Sequence, residues 1–177
     1  MVRSTALFIA TLVIIIQVCI ASYLPNGIYQ IALRGGQLTD LGQGPDGEIA
    51  LLPPKNNYQA QLWRISSRDN AVIIQNFASH LYISGRLHPG EPLRLSRAPT
   101  SWKLTQAFDE SLFIETVGQY NGEHLVVDVS GFDSELLAIL AKPRKTEDQA
   151  WSFHHVGGFY EEPRQYRLPY NKAGLCH

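Results

Sequence analysis

The sequence contains three tryptophans, and each lies at the same place in a repeated pattern of short apolar segments. Trp63, Trp102 and Trp151 each close a unit of four such segments, and the units recur at a period of roughly 40 residues, with an insertion in the third. One unit of this size cannot bury its apolar face alone. Three units around a pseudo-threefold axis can close into a barrel and share one core, which constrains the whole fold.

The segments themselves are short and rich in β-branched and aromatic residues, and turn-forming residues such as Pro45-Asp46-Gly47 separate them. The pattern predicts an all-β fold with three four-stranded repeats. The twelve expected strands are 27–31, 38–41, 48–52 and 61–65 in unit 1, 71–76, 81–83, 92–95 and 101–104 in unit 2, and 112–115, 125–129, 136–140 and 149–153 in unit 3. A four-bladed propeller also uses four-strand units, but three units would not close it well.

The N-terminal segment is almost wholly apolar from residue 7 to residue 20, follows Arg3 and ends in small residues at Ala21. This pattern is typical of a secretory signal peptide, so we expect residues 1–21 to be removed and the protein to be secreted. The alternative is a membrane anchor, but the apolar run is shorter than the ~20 residues that a spanning helix needs.

The remaining chain suits one domain, predicted at residues 22–156, followed by a C-terminal tail at residues 157–177. The tail mixes aromatic, charged and proline residues without a period, and it fits a strap along the barrel, a partner-binding segment or a mobile end equally well. After removal of Cys19 with the signal, Cys176 is the remaining cysteine, so no internal disulfide is expected. A Cys176-linked dimer and a thiol without a role both stay open.

Composition argues against several classes of function. With a net charge of −1, nothing in the composition suggests binding to nucleic acid or to an anionic membrane. The sequence has no glycine-rich phosphate loop, no metal-ligand spacing and no nucleophile elbow, so we expect no catalytic residues, metal or cofactor, and no enzyme. His154 and His155 are adjacent on an expected strand and therefore face opposite sides, which disfavours joint binding of one ion.

The tryptophans belong to a short motif. Gln61-Leu62-Trp63 and Gln149-Ala150-Trp151 match the Gln-x-Trp signature of the ricin-B-type β-trefoils, and Thr100-Ser101-Trp102 is a degraded copy. With the repeat layout, the resemblance covers about residues 24–156 and implies a β-trefoil. It also implies that each tryptophan fills the barrel core and that each glutamine satisfies backbone groups at a turn. This motif identifies a scaffold and not a function.

A galactose-type site in that family resembles a shallow pocket that combines an aspartate, an aromatic ring and an asparagine just before the motif. Carried onto this sequence, the sugar-binding candidates are Asp40, Gln61, Asp128 and Gln149. The ring positions hold Leu52 and Leu140, and unit 2 has Ile83 in place of the aspartate. Without a ring to desolvate the sugar, a lone carboxylate competes poorly with water. Both aspartates also fit a simpler role as turn-capping residues.

The chain also resembles the fungal trefoil protease inhibitors, the cospin-like inhibitors and the mycocypins, at residues 24–31 and 49–54. Such inhibitors hold a loop rigidly in the shape that a protease cleft accepts. Because the aromatic platform is missing, the sequence favours a protease inhibitor, with a glycan-binding lectin as the alternative.

Loop chemistry then selects the candidates for binding a protease. A trypsin-like enzyme requires an exposed cation, for which Arg86, followed by Leu87, fits best, and Arg144 and Lys145 in the unit 3 insertion are competitors. A papain-like enzyme accepts small residues, which Gly35 and Gly36 supply. All of these residues also fit ordinary surface turns.

Overall fold

The computed structural model describes residues 24–56, 58–131 and 136–157, and these residues form strands and two short 3-10 helices. Unit 1 contains β1 (Gly27–Leu33), β2 (Gly36–Asp40), β3 (Ile49–Leu52), η1 (Gln59–Gln61) and β4 (Trp63–Arg68). Unit 2 contains β5 (Ala71–Asn76), β6 (Tyr82–Ser84), β7 (Arg94–Ser96) and β8 (Ser101–Gln106). Unit 3 contains β9 (Leu112–Thr116), β10 (Val126–Ser130), β11 (Leu136–Ala141), η2 (Glu147–Gln149) and β12 (Ser152–Gly157).

The first and fourth strands of each unit form a six-stranded antiparallel barrel. Strand β1 pairs with β4 and β12, β5 pairs with β4 and β8, and β8 pairs with β9. Between β9 and β12 the circle is closed by Leu112 and Trp151, which donate their backbone N–H groups to each other's carbonyl at 2.9 Å. Closure removes most of the exposed strand edges that an open sheet would present.

The second and third strands of each unit form hairpins that cap one end of the barrel. Each hairpin touches both others: β3 pairs with β11, Glu48 bridges to Arg94, and Pro92 bridges to Ile139. A six-stranded barrel with three capping hairpins is the β-trefoil that the repeat predicts, so the expected fold class is confirmed.

The three tryptophans occupy the centre of this arrangement, as the sequence predicts. Their side chains are fully buried, and each indole N–H donates to a backbone carbonyl on the second strand of its own unit. The three bonds are Trp63 Nε1 to Leu38 at 2.8 Å, Trp102 Nε1 to Ile83 at 3.3 Å and Trp151 Nε1 to Val127 at 2.9 Å. The repeated contact defines which residues of the three units are equivalent.

The lengths of the connections correct the sequence interpretation of unit 3. The segment between the third strand and the tryptophan is 142–150 in unit 3, 53–62 in unit 1 and 97–101 in unit 2. Unit 3 is therefore longer than unit 2 by four residues in this segment, and by four more between β9 and β10, where 117–125 compares with 77–81. Arg144 and Lys145 lie in a segment that is extended relative to unit 2 but not relative to unit 1.

Two further sequence expectations differ in detail from the structure. Gln61 and Gln149 end the 3-10 helices η1 and η2, whereas the sequence pattern placed them at the start of strands. Strand β12 ends at Gly157, one residue beyond the predicted end of the domain. The expected signal peptide, most of the tail and Cys176 lie outside the described residues.

Within the described residues no helix is long and apolar enough to cross a membrane, and no group of three or more metal-ligating side chains comes together.

Candidate functional site

Gln61 has no solvent-exposed surface, and its amide is fully engaged with the scaffold. Its Nε2 donates to Thr39 Oγ1 at 3.1 Å and to the Pro53 carbonyl at 2.9 Å, and its Oε1 accepts the Lys55 backbone N–H at 2.9 Å. These bonds hold the β3–β4 connection against β2. The predicted role of this glutamine in satisfying backbone groups fits this geometry, and no face of the side chain is free for a ligand.

Gln149 repeats the arrangement in unit 3. Its Nε2 donates to Asp128 Oδ2 at 2.9 Å and to the Lys142 carbonyl at 3.1 Å, while its Oε1 accepts the Arg144 N–H at 2.7 Å. In unit 2 the short connection carries Thr100 instead, whose Oγ1 donates to Ser84 Oγ at 3.2 Å.

These bonds correct the equivalences that were read from the sequence. Thr39, Ser84 and Asp128 are equivalent, because each meets the residue two positions before the tryptophan. Ile83 is therefore not at the aspartate position, and Asp40 lies one residue beyond it. The strand pairing likewise makes Ser96 and Ala141 the equivalents of Leu52 at the ring position, so Leu140 does not lie there.

The two aspartates are also buried and occupied. Asp40 is 2% exposed, and its Oδ1 accepts the Gly42 N–H at 2.6 Å, which is a turn-capping contact. Asp128 is 4% exposed and accepts bonds from the Val129 N–H at 2.8 Å and, through Oδ2, from Arg144 Nη2 at 2.9 Å. Arg144 thus covers the carboxylate of Asp128, while the Arg144 side chain itself stays 58% exposed.

Gly35 and Gly36 form part of the tight turn between β1 and β2. Gly35 has φ +79°, and the preceding Arg34 also has a positive φ of +49°, which is the geometry of a two-residue hairpin turn. A Cβ on Gly36 would lie 2.6 Å from Leu51 Cγ. Both glycines are thus required by the backbone and by packing. Lys145, at φ +53°, is exposed beside Arg144.

Arg86 and Leu87 are exposed on the loop between β6 and β7, and this loop is held firmly by its backbone. The Gly90 N–H donates to the Leu140 carbonyl at 2.7 Å, and the Leu140 N–H donates to the Glu91 carbonyl at 2.9 Å. The sequence prediction of an exposed cation on a rigid loop fits this geometry.

Beside this loop lies an open depression of about 560 Å³, which we call the unit 2 depression. It is lined by Asp46, Ser84, Gly85, Arg86, Glu91, Pro92, Arg94, Leu95 and Ser96. Its wall is fixed because the Asp46 N–H donates to the Leu95 carbonyl at 2.8 Å and Arg94 Nη1 donates to the Asp46 carbonyl at 2.9 Å. Arg94 also pairs with Glu48 at 3.5 Å.

Sequence reasoning missed Asp46, Glu91 and Arg94 as members of one site. Asp46 was recognised as a turn residue, but its loop reaches unit 2 only through the docking of the unit 1 hairpin on β7. The local signal in the sequence is the turn Pro45-Asp46-Gly47, in which Asp46 takes a φ of +65° and is exposed.

Away from this region, burial raises the pKa of the Tyr29 hydroxyl above its ordinary value of 10.0. The hydroxyl donates to the Pro25 carbonyl at 2.7 Å and lies in the barrel wall. Its role is structural.

Comparison with known proteins supports the fold. No protein-family model and no curated protein matches the sequence. Among solved structures, the agglutinin of Rhizoctonia solani matches with a TM-score of 0.67 and 20% identity, over 75% of this chain and 97% of the agglutinin. A ricin B-like lectin of Macrolepiota procera, solved in complex with lactose, matches with a TM-score of 0.64 and 19% identity, over 76% of this chain and 100% of the lectin.

The designed threefold symmetric protein ThreeFoil matches with a TM-score of 0.63 and 15% identity, over 74% of this chain and all of its own length (100%). The chain therefore has a β-trefoil fold similar to that of ricin B-like lectins. At these identities the likeness establishes the fold alone.

Proposed function

We propose that the protein is a carbohydrate-binding β-trefoil and that the unit 2 depression is its binding site. The observation that carries this proposal is the position of the depression. It lies at the strand positions where the resemblance to ricin-B-type trefoils places a sugar, with Ser84 in the aspartate position and Ser96 in the ring position. The fold similarity to lectins supports carbohydrate over protease as the partner.

The lining suits a sugar chemically. Sugar hydroxyls both donate and accept hydrogen bonds, and here Asp46 and Glu91 contribute carboxylates to the lining while Arg86 and Arg94 contribute guanidinium groups. Hydrogen bonds to charged groups are roughly twice as strong as neutral ones, so these four groups replace part of what the missing aspartate supplies. Pro92 adds an apolar contact for the C–H face of the ring.

At the equivalent positions of units 1 and 3 the side chains are engaged with the scaffold. In unit 1, Thr39 is buried and bonded to Gln61, and in unit 3 the carboxylate of Asp128 is covered by Arg144. We therefore assign the proposed site to unit 2.

A glycan array tests the proposal. Asp46→Asn and Glu91→Gln remove carboxylate acceptors while keeping size, and asparagine tolerates the positive φ of Asp46 as well as aspartate does. Each variant should weaken binding by about tenfold, the loss of one charge-assisted bond. Arg97→Ala, an exposed arginine outside the lining, is the matched control and should bind like the wild type. An array without reproducible binding to any saccharide would refute the carbohydrate-binding function.

Protease inhibition is the second candidate function, and one observation favours it. Arg86 and Leu87 are exposed on a loop whose backbone is bonded to β11, so little ordering entropy would be lost when the loop docks into a cleft. Arg86 would then pair with the pocket carboxylate of a trypsin-like enzyme.

Titration of trypsin with the protein and with Arg86→Ala separates the two candidates. If inhibition exists and uses this loop, Arg86→Ala should abolish it, whereas Arg97→Ala should leave the inhibition constant unchanged. A protein that binds glycans and does not inhibit trypsin, subtilisin or papain excludes the inhibitor function.

We also propose that the protein is secreted, on the basis of the apolar N-terminal segment and the small residues at Ala21. N-terminal sequencing of protein recovered from the medium of expressing cells should begin just after residue 21. Retention of residues 1–21 on a membrane-bound product would contradict it.

A further inference from the structure

A second depression, of about 630 Å³, lies on unit 3, and we call it the seam depression. It is lined by Phe108, Asp109, Glu110, Ser111, Glu147, Ala150, Ser152, Phe153 and His154. It shares no residue with the unit 2 depression. Unit 1 differs at the equivalent position, because its first and fourth strands pair over a longer stretch.

Pairing between the first and fourth strands differs among the units. In unit 1, β1 and β4 pair at three positions, from Tyr29 with Trp63 to Gly27 with Ile65. In unit 3, β9 and β12 meet at the single bridge between Leu112 and Trp151. Beyond that bridge the turn between β8 and β9 stands beside β12 without pairing to it, and the space between them is the seam depression.

Phe108 presents an aromatic ring at this depression. The residue is 41% exposed, although a phenylalanine normally gains by burial. Its ring meets the buried Phe113 ring in an edge contact, at a centroid distance of 6.2 Å and an interplanar angle of 79°. An edge-to-face contact leaves at least one face of the Phe108 ring uncovered by Phe113.

Hydrogen bonds hold the backbone of the turn that carries Phe108. The Ser111 N–H donates to the Phe108 carbonyl at 2.8 Å, the Ser111 hydroxyl donates to the same carbonyl at 2.6 Å, and the Ala107 N–H donates to the Ser111 carbonyl at 3.1 Å. Asp109 takes the positive φ, +47°, that the tight turn requires. Because the turn is already ordered, a ligand that stacks on Phe108 would lose little conformational entropy.

Apart from Ala150 and Phe153, the rest of the lining is polar and acidic. Asp109, Glu110 and Glu147 contribute carboxylates, Ser152 contributes a hydroxyl and His154 an imidazole, and no lysine or arginine is part of the lining. Such a surface accepts hydrogen bonds from hydroxyl groups and repels anions.

We propose that the seam depression is a second saccharide-binding site, specific for neutral sugars, in which the apolar face of a sugar stacks on Phe108 and its hydroxyls donate to the carboxylates. This inference rests on the proposed carbohydrate-binding function. The Phe108 ring supplies the aromatic platform that the ring positions of the three units lack, since those positions hold Leu52, Ser96 and Ala141. The acidic lining excludes sialylated and sulfated sugars, because their anionic groups would face three carboxylates.

The test is a glycan array printed with neutral oligosaccharides, each beside its sialylated or sulfated counterpart, and probed with the wild type and four variants. Phe108→Ala removes the ring and Phe108→Trp keeps one. Glu147→Gln removes an acceptor on η2 without removing volume. Tyr58→Ala is the matched control, since Tyr58 is 39% exposed and lies in unit 1, outside both depressions. Thermal unfolding by circular dichroism verifies that each variant is folded.

The inference expects neutral glycans to bind better than their anionic counterparts. Phe108→Ala should weaken that binding by about tenfold, Phe108→Trp should keep or strengthen it, and Tyr58→Ala should leave it unchanged. If Phe108→Ala does not fold, a loss of about three- to tenfold in Glu147→Gln carries the same conclusion. Titration with a neutral glycan that binds on the array should shift the backbone amide NMR signals of Asp109 and Ser111.

Three other outcomes would overturn this inference, and they show whether the seam site, the carbohydrate-binding function or the sugar ligand is wrong. Glycan binding that is lost in Asp46→Asn but unchanged in Phe108→Ala and Glu147→Gln rejects the seam site and leaves the proposed function in place. Absence of any glycan binding rejects both. Binding of an oligolysine peptide, with loss in Glu147→Gln and no glycan response at Asp109, rejects the sugar in favour of a cationic ligand.

Discussion

Single residues decide how each unit is tied together, and the two glutamines of the motif are the clearest case. The side chain of Gln61 bonds to β2 and to two backbone groups of the β3–β4 connection, and Gln149 does the same in unit 3. Thr100 makes one such bond in unit 2, where the connection is short and contains no 3-10 helix. The need for a long polar side chain thus follows from the length of the connection.

Gln61→Ala should therefore lower the free energy of unfolding by about 2 to 3 kcal/mol, because the Pro53 carbonyl and the Lys55 N–H lose their partner in a partly buried site. Gln59→Ala, in the same 3-10 helix but exposed, should change it by less than about 0.5 kcal/mol. Urea unfolding followed by circular dichroism measures both. Equal destabilisation of the two variants would contradict the scaffolding role.

Tyr29 gives a prediction on pH. Its pKa is raised in the folded protein, so the unfolded chain loses the hydroxyl proton first as the pH rises. The contribution of the protonated Tyr29 hydroxyl to the free energy of unfolding is therefore fully present below about pH 10. It is lost as the pH rises through the raised pKa. Tyr29→Phe should cost about 1 kcal/mol at pH 7 through the lost bond to Pro25.

The difference between wild type and Tyr29→Phe should then shrink over the pH range that begins at the ordinary value of 10.0 and extends upwards through the raised pKa. Denaturant unfolding at a series of pH values measures it. Comparison of the two proteins cancels the titration of other tyrosines and lysines. A difference that stays constant over this range would show that the hydroxyl titrates alike in both states.

At the scale of elements, the sequence predicted the strands well but not the two depressions. Apolar periodicity and turn residues located the strands because both are local properties. The sequence comparison made Asp40 equivalent to Asp128 because it counted residues back from each tryptophan. The connections 53–62 and 142–150 differ in length by one residue, so this count is wrong by one position. In a strand, a shift of one position moves a side chain to the other face. The two depressions arise where hairpins dock and where a strand pair ends early, and these are tertiary features.

The three tryptophans test the equivalence of the units. Trp102 makes the longest of the indole bonds, 3.3 Å compared with 2.8 Å for Trp63 and 2.9 Å for Trp151. Replacement by phenylalanine should cost about 1 to 3 kcal/mol at each position, with Trp102→Phe the least destabilising by about 0.5 to 1 kcal/mol. Urea midpoints of the three variants give the order. If Trp102→Phe were instead the most destabilising of the three, packing volume and not the hydrogen bond would determine the loss of unfolding free energy.

For the whole molecule, the barrel and its shared core make the three units interdependent. Each unit contributes two barrel strands, and the fully buried side chains Ile31, Ile74 and Ile114 come one from each unit to one hydrophobic cluster. A unit on its own would leave its part of this cluster in water. We therefore expect one cooperative unfolding transition for the described domain, without a stable single unit.

Native-state hydrogen exchange tests this cooperativity at the place where it is weakest. The slowest amides of β1, β5 and β9 should share one opening free energy, equal within about 1 kcal/mol to the global value from urea unfolding. The strand that decides the outcome is β9, because it joins β12 only through Leu112 and Trp151. Its five pairs with β8, from Trp102 with Thr116 to Gln106 with Leu112, should nevertheless hold it to the rest of the barrel. An opening free energy for β9 well below those of β1 and β5 would show that unit 3 opens separately at the seam, and the seam depression would then be a mobile surface instead of a preformed one.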